Sequence, residues 1–176
     1  AFVARADNSG LGSLSWEFAR HIPIFKALII DNGVYRVFKD RIPAQQKIGR
    51  GRNFSLEDME WLLEGSDVLF LVETPYNNNL VGLAKRMHKK VVMMPMYESF
   101  SERDAQPYDL ILCPSLLDYQ VIREPKTLMP FPVARDRIPF KLRERAKVFL
   151  HNAGHGGMAS RNGTEELIKA MEYVKS

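Results

Sequence analysis

The sequence predicts an α/β fold in which a Rossmann-like parallel sheet is flanked by helices. Short, unbroken apolar runs have the length and composition of strands buried on both faces. Segments with helical periodicity separate these runs. Strands that alternate with helices form parallel sheets through right-handed crossovers. The predicted strands cover residues 2–4, 27–30, 68–72, 91–94 and 110–113.

The first two helices are predicted from periodicity and from their end signals. Leu14, Phe18 and Ile22 recur at every fourth position and share one helical face, and Pro23 ends this helix. Ser55 stands three residues before Asp58, the spacing of an N-terminal cap. Phe54 and Met59 flank that cap as a hydrophobic staple would, and Gly65 supplies the stop.

Two further helices follow the same logic. One places Leu80, Leu83, Ala84 and Met87 on a single face, and the other begins at Ser115, again three residues before an aspartate, Asp118. The segments between are weaker: residues 34–38 suit a short strand and residues 42–52 suit a loop. Residues 128–133 contain prolines and suit an edge strand or a connector.

Composition limits the classes of protein. With 45% hydrophobic and 26% charged residues, the chain resembles ordinary soluble globular proteins. No apolar run approaches the ~20 residues that cross a bilayer. Arg5 and Asp7 interrupt the apolar start too early for a signal peptide. Cys113 is the single cysteine, so no internal disulfide can form. A reducing, cytoplasmic location is expected, with Cys113 as a buried structural thiol.

The net charge of +4 suits an anionic partner. A nucleotide diphosphate and an anionic membrane surface both fit this charge, so peripheral association with the inner face of a membrane is compatible with it. The basic residues are dispersed, whereas nucleic-acid-binding proteins more often carry a continuous basic stripe. We therefore expect no nucleic acid as a partner.

The chain divides into two domains in this interpretation. Residues 1–134 form the first domain, and the charged residues 135–146 form a linker. Residues 147–176 contain a new strand, a glycine-rich loop and a helix, which is the first unit of a second domain that we expect to be truncated at Ser176. The apolar face of that helix is expected to pack on the first domain or on a second copy in a homodimer; it comprises Leu167, Ile168, Met171 and Val174.

The first glycine-containing loop joins the first strand to the first helix. Gly10 and Gly12 permit a tight turn, and the helix start offers free N–H groups and a positive dipole to a phosphate. The loop lacks the third glycine of the dinucleotide fingerprint. Asp31, about twenty residues on, matches the ribose-binding acid of that fingerprint only generically. Ligand contact and a purely structural turn both remain open.

The second loop is richer in glycine and carries an arginine before a helix. Gly154 and Gly156 expose backbone donors beside His155, and Arg161 offers a forked guanidinium to a phosphate. A flexible loop with a solvated arginine is the alternative. His151 and His155 are separated by a strand end and glycines, so we predict no metal site.

Together these stretches resemble the retaining glycosyltransferases of family 4, which have the two-domain GT-B fold. The strand, loop and helix of residues 2–22 resemble the start of that family's first domain, and residues 148–174 resemble the start of its second. The chain departs from the family pattern in having Gly154-His155 where many members have Gly-Arg, and Asn162 where they have lysine.

The resemblance implies transfer of a sugar from a nucleotide-diphosphate donor to a hydroxyl of a carbohydrate or lipid-linked acceptor, with retention and without a cofactor or metal. The donor's phosphates would contact Gly10, Gly12, Gly154, His155, Gly156 and Arg161. The family's donor-binding glutamates would fall beyond Ser176, so the catalytic residues are unknown and the isolated chain is expected to be inactive.

The acceptor would lie against the first domain. Glu73, Tyr97 and Glu98 follow predicted strands and therefore lie at the sheet edge where ligands bind in this class of fold. Two other functions stay open. One is an NAD(P)-binding oxidoreductase domain, and the other is a non-catalytic Rossmann-like module that binds a nucleotide or a partner.

Overall fold

The computed structural model describes residues 1–51, 53–96, 107–123, 125–132 and 163–175. The chain forms two compact units, Ala1–Arg135 and Asp136–Ser176. Within the described part of the first unit, seven strands form one all-parallel sheet in the order β3-β2-β1-β4-β5-β6-β7. The predicted fold class, a Rossmann-like parallel sheet flanked by helices, is confirmed.

The elements follow one another in a strand–helix alternation. The strands are β1 (Phe2–Ala4), β2 (Lys26–Asp31), β3 (Gln45–Arg50), β4 (Val68–Glu73), β5 (Lys90–Pro95), β6 (Leu110–Cys113) and β7 (Lys126–Leu128). The helices are α1 (Gly10–His21), α2 (Leu56–Leu63), α3 (Asn78–Arg86) and α4 (Leu116–Val121), with a short 3-10 turn at Lys39–Arg41. In the second unit, the described residues form α5 (Thr164–Lys175).

The core lies on both faces of the sheet because successive strand residues point to opposite sides. One face packs against α2 and α3; Val3 of β1 belongs to this cluster. The other face packs against α1, and Phe2 belongs there. On that side the ring of Phe70 stacks on Phe2 at 5.4 Å between centroids and meets Phe18 edge-on at 5.0 Å. Layers on both faces make this a doubly wound sheet.

The end signals of the helices are confirmed. Ser55 accepts a hydrogen bond from the Asp58 N–H at 3.0 Å, and Ser115 with Asp118 forms a reciprocal capping box. Gly65 follows α2 in the left-handed conformation, at a φ of 71°. That conformation is the one that favours glycine after a helix. Cys113 is fully buried, as predicted.

Two predictions between β2 and α2 are wrong. Residues 34–38 form no strand, and Val34 is 70% exposed. Residues 45–50, predicted as loop, form β3, which pairs with the whole of β2 from Lys26↔Gln45 to Asp31↔Arg50. An edge strand is solvated along much of its surface and so carries polar residues rather than an apolar run. This is why the apolar signal missed β3.

Smaller corrections concern chain ends of elements. Ile22, predicted on the apolar face of α1, is instead its C-cap with an extended backbone, because a residue before a proline disfavours helical geometry. Its side chain is 37% exposed. The edge strand β7 spans Lys126–Leu128, so it overlaps the segment predicted over residues 128–133 only at Leu128, and residues 129–132 form no strand. The strand, loop and linker predicted between residues 135 and 162 lie outside the described residues. In α5, Leu167 and Met171 are half-buried and Ile168 is exposed.

Candidate functional site

The strand order reverses between β1 and β4, and this reversal locates the candidate site. From β1 the chain winds outward through β2 to β3, then returns to the opposite side of β1 as β4. In open parallel sheets, ligands bind at such a switch point, beyond the carboxyl ends of the strands. Because Val3 is paired with Leu71, Arg5 and Glu73 both stand two residues beyond that pair, at the same edge.

The loop after β1 is organised by a buried aspartate. The Asp7 side chain is 2% exposed and pairs with Arg5, whose Nε and Nη2 atoms lie 2.9 and 2.8 Å from Asp7 Oδ2. The other oxygen, Oδ1, accepts a hydrogen bond from the Ser9 N–H at 2.8 Å. Both carboxylate oxygens are therefore engaged by partners within the loop.

Two opposing effects act on the ionisation of Asp7. Burial disfavours the charged form and by itself would raise the pKa of Asp7. Hydrogen bonds from Ser9 and the charge and hydrogen bond of Arg5 outweigh burial, and the pKa falls below its ordinary value of 3.8. Asp7 is therefore a carboxylate at neutral pH, and its pair with Arg5 carries no net charge.

The two glycines of this loop differ in their surroundings. A Cβ at Gly12 would lie 2.1 Å from the Asp7 carbonyl oxygen, so Gly12 allows α1 to pack directly on the loop. The Gly12 N–H donates to Ser9 Oγ at 3.1 Å as part of the N-cap. Gly10 is exposed, a Cβ there would meet nothing within 4 Å, and its N–H has no partner among the described residues. Of the two, only Gly10 offers an N–H to solvent.

The segment between β2 and β3 folds over the β1 loop. Asp31 ends β2 and accepts the Gly33 N–H at 2.8 Å, which starts a turn. The Phe38 N–H donates to the Ala6 carbonyl at 2.6 Å. Arg41 donates to the Asp7 carbonyl at 2.5 Å and to Asn8 Oδ1 at 2.6 Å. Arg41 and the Arg5–Asp7 pair were not predicted. Arg41 and Asp7 are 34 positions apart in the sequence, and no local pattern reports such a contact.

On the other side of the switch point, β4 ends in unusual backbone geometry. Glu73 and Tyr76 both have positive φ, at 77° and 53°. This region is unfavourable for residues with a Cβ. The Tyr76 hydroxyl donates to Glu73 Oε2 at 3.4 Å, and the Tyr76 N–H donates to Thr74 Oγ1 at 3.2 Å. Strained residues of this kind are concentrated at functional sites.

His88 is the remaining described residue other than glycine with positive φ, and its surroundings explain it. It follows α3, where its N–H donates to the Lys85 carbonyl and the Lys89 N–H donates to the Ala84 carbonyl. This is the Schellman arrangement, which requires a left-handed residue at that position. No helix end explains Glu73, so the two cases differ in origin.

The structure therefore brings three of the predicted site residues to one edge of the sheet: Gly10, Gly12 and Glu73. The other six lie outside the described residues, so their assignments remain predictions: Tyr97, Glu98, Gly154, His155, Gly156 and Arg161. Among the residues that the structure describes, no group of three or more His, Cys, Asp or Glu side chains is arranged to hold a metal ion. Over the same residues, no helix has the length and apolar character needed to cross a membrane.

The chain was compared with protein-family models, with curated proteins and with solved structures, and none of the three comparisons gave a match.

Proposed function

We propose that this chain is part of a retaining glycosyltransferase, in which the first unit binds the acceptor and the nucleotide-diphosphate sugar is the donor. The observation that carries the proposal is the strained Glu73 at the switch point. Glu73 is the last residue of the central strand β4 and lies at the same sheet edge as the β1 loop. A half-buried carboxylate in this place is suited to accept a hydrogen bond from a sugar hydroxyl.

The backbone strain at Glu73 supports a functional role over a structural one. A left-handed residue with a Cβ costs about 1–3 kcal/mol, and it persists where the surrounding structure or function requires it. Glycine would meet the backbone requirement without that cost. The presence of glutamate is therefore best explained by its side chain.

The β1 loop supplies a fixed wall for the same site. In this loop the Asp7 carboxylate is already paired with the Arg5 guanidinium, and Arg41 adds one positive charge on the loop surface. On this proposal, Gly10 contributes the backbone N–H that faces the donor phosphates, while Gly12 contributes packing. The acceptor-side candidates Tyr97 and Glu98, and the phosphate-side candidates of the second loop, remain predictions from the sequence.

A dinucleotide-binding oxidoreductase is less well supported. In that class, the second glycine of the first loop is open so that the pyrophosphate approaches the backbone. Here the corresponding face of Gly12 is filled by Asp7, and the Gly12 N–H is taken by Ser9. Asp31 accepts a hydrogen bond from Gly33 within its own turn.

The experiment is a transfer assay with a panel of nucleotide sugars on the protein expressed from its complete open reading frame. We expect one donor to be consumed faster with an acceptor present and to raise the thermal midpoint of unfolding, as a native-state ligand does. Glu73→Gln removes the negative charge at nearly constant shape. It should lower kcat/KM by about 10- to 100-fold, the usual effect of losing one hydrogen bond to a charged group.

Two controls accompany the assay. Asp67→Asn removes an exposed carboxylate next to the amino end of the same strand, so it should leave transfer unchanged. Binding of nucleotide sugars without any transfer or hydrolysis would instead identify the non-catalytic module. Full activity of Glu73→Gln would remove the main support for the proposed site. Cytoplasmic location, with peripheral association at the inner face of a membrane, remains a prediction from the single cysteine and the net charge.

A further inference from the structure

An arginine–aromatic surface lies beside the β1 loop and shares only the Arg41 side chain with the site described above. We define it as Trp16, Arg36, Phe38 and Arg41. The guanidinium carbons of Arg36 and Arg41 lie 5.4 and 4.5 Å from the centroid of the same Phe38 ring. Arg41 also lies 5.7 Å from the ring of Trp16, which is 40% exposed.

The two arginines carry positive charge without a carboxylate partner among the residues that the structure describes. Neither forms an ion pair with any described residue, although Asp40 is their neighbour in sequence. Arg20, which also stacks on Trp16, differs because it pairs with Glu17. Two cations that share one ring repel each other, and an anion between or beside them relieves that repulsion.

Arg41 is also held in place before any ligand arrives. Its Nη1 and Nη2 atoms donate to the Asp7 carbonyl and to Asn8 Oδ1, which are uncharged acceptors, and aromatic rings flank the guanidinium. A guanidinium fixed in this way retains its charge and loses little conformational entropy on binding. Its fork geometry matches the oxygens of a phosphate better than a single carbonyl.

We propose that Arg36 and Arg41 bind a phosphate group of the acceptor in the proposed sugar transfer. This inference rests on the proposed function, because it assigns the phosphate to the acceptor. The partial burial of Arg41, the shared Phe38 ring and the absence of a carboxylate partner in the described residues all favour a compact anion over the extended contacts of a polymer.

Tryptophan fluorescence tests the binding step without any donor sugar. The chain has two tryptophans, Trp16 and Trp61, so the Trp61→Phe variant leaves Trp16 as the reporter next to Arg41. Titration with inorganic pyrophosphate should change the Trp16 emission and saturate. Arg36→Gln should weaken this binding by about tenfold, as expected for losing one charge-assisted contact.

Matched variants separate a specific site from general attraction. Arg86 is an exposed arginine on α3 that also lacks an ion pair among the described residues, and Arg86→Gln removes the same charge. It should leave pyrophosphate binding within about twofold of the parent, since a distant surface charge is largely screened. Equal losses in the Arg36 and Arg86 variants would overturn the proposal. Arg41→Lys keeps the charge but loses the fork, and should weaken binding while the thermal midpoint is retained.

Further arms identify the source of the phosphate. Arg36-dependent co-sedimentation with phosphatidylcholine vesicles that contain phosphatidylglycerol would support the proposal and assign the phosphate to a lipid headgroup. Pyrophosphate binding without co-sedimentation would support it and assign the phosphate to a soluble acceptor. Arg36-dependent binding of oligothymidine with no response to pyrophosphate would overturn it in favour of nucleic acid.

The transfer assay distinguishes this inference from the function on which it rests. Arg36→Gln should raise KM for a phosphorylated acceptor and leave a neutral acceptor unaffected. Efficient transfer with no effect of Arg36→Gln on either acceptor would overturn the inference and leave the proposed function intact. Pyrophosphate binding without any sugar transfer would support an anion site at Arg36 and Arg41 and count against the proposed function.

Discussion

Gly12 and the carbonyl oxygen of Asp7 are so close that a Cβ added to the glycine would lie 2.1 Å from that oxygen. The same atom would lie 2.7 Å from Asp7 Oδ1. The contact is backbone against helix, so neither partner can rotate away. The start of α1 is thereby fixed on the loop that carries the Arg5–Asp7 pair.

Gly12→Ala should therefore destabilise the protein by about 3 kcal/mol, the upper part of the usual range for overpacking. Urea unfolding measures the change. Gly10→Ala is the control, because its Cβ would enter open space at the first position of α1. Alanine there should be neutral or stabilise by up to about 1 kcal/mol through helix propensity. Equal stability of both variants would contradict the packing role of Gly12.

The Gly10 N–H can be removed without changing any described hydrogen bond. Gly10→Pro places proline at the first helical position, where its missing N–H and fixed φ are tolerated. If this N–H binds the donor diphosphate, Gly10→Pro should raise KM for the nucleotide sugar by about tenfold, the effect of one charge-assisted hydrogen bond. Gly10→Ala keeps the N–H and should leave KM unchanged. The same KM in both variants would exclude this contact.

Asp7→Asn breaks a buried ion pair and leaves the Arg5 guanidinium without its counter-charge. Loss of one partner from such a pair costs about 3 kcal/mol. The effect depends on pH in a defined direction. The folded-state pKa of Asp7 is lowered, so its contribution to stability is present above the unfolded value of 3.8 and is lost as pH falls through the folded value. The gap in unfolding free energy between parent and variant should shrink below about pH 4.

Asp109 provides the comparison for acid unfolding. Lys85 donates to its Oδ2 at 2.5 Å, and this bond, together with that from the Val91 N–H, lowers the pKa of Asp109 to about 2. Asp109→Asn should therefore reduce stability at neutral pH. The variant should also lose less unfolding free energy than the parent between pH 3.8 and about 2. Because Asp109 lies at the start of β6, this variant should not alter sugar transfer.

The difference in unfolding free energy between the parent and Asp7→Asn is also a test of the ion pair. A difference that stays constant down to pH 2 would show that Asp7 is not an ion-paired carboxylate.

Glu73 and His88 share a left-handed backbone conformation. Glycine at each position tests whether the strained residue is needed for sugar transfer. Both Glu73→Gly and His88→Gly should stabilise the protein or leave it unchanged, because relief of about 1–2 kcal/mol is partly offset by the flexibility of glycine in the unfolded chain. Sugar transfer should fall in Glu73→Gly alone. Thermal unfolding measures the stability of both variants, and the transfer assay measures their activity. Unchanged transfer in both variants would show that the Glu73 side chain has no role in the reaction.

Local sequence determined the elements whose signals are short-range. The strands β4 and β5 follow from apolar runs, because a strand buried on both faces excludes polar side chains. The starts of α2 and α4 follow from Ser55 and Ser115, because a cap satisfies N–H groups only a few residues away. The carboxyl-edge position of Glu73 follows in turn from the end of β4.

Tertiary structure decided what depends on distant residues. The polar strand β3 exists because β2 offers it a full register of backbone partners, and no apolar pattern marks an edge strand. Arg41 reaches Asp7 only after β2 and β3 place their connecting segment over the β1 loop. The two glycines of the first loop look alike in sequence, and the helix packing alone separates them. Gly12 is closed by Asp7 and Gly10 is open, because a Cβ clash depends on what the folded chain places nearby.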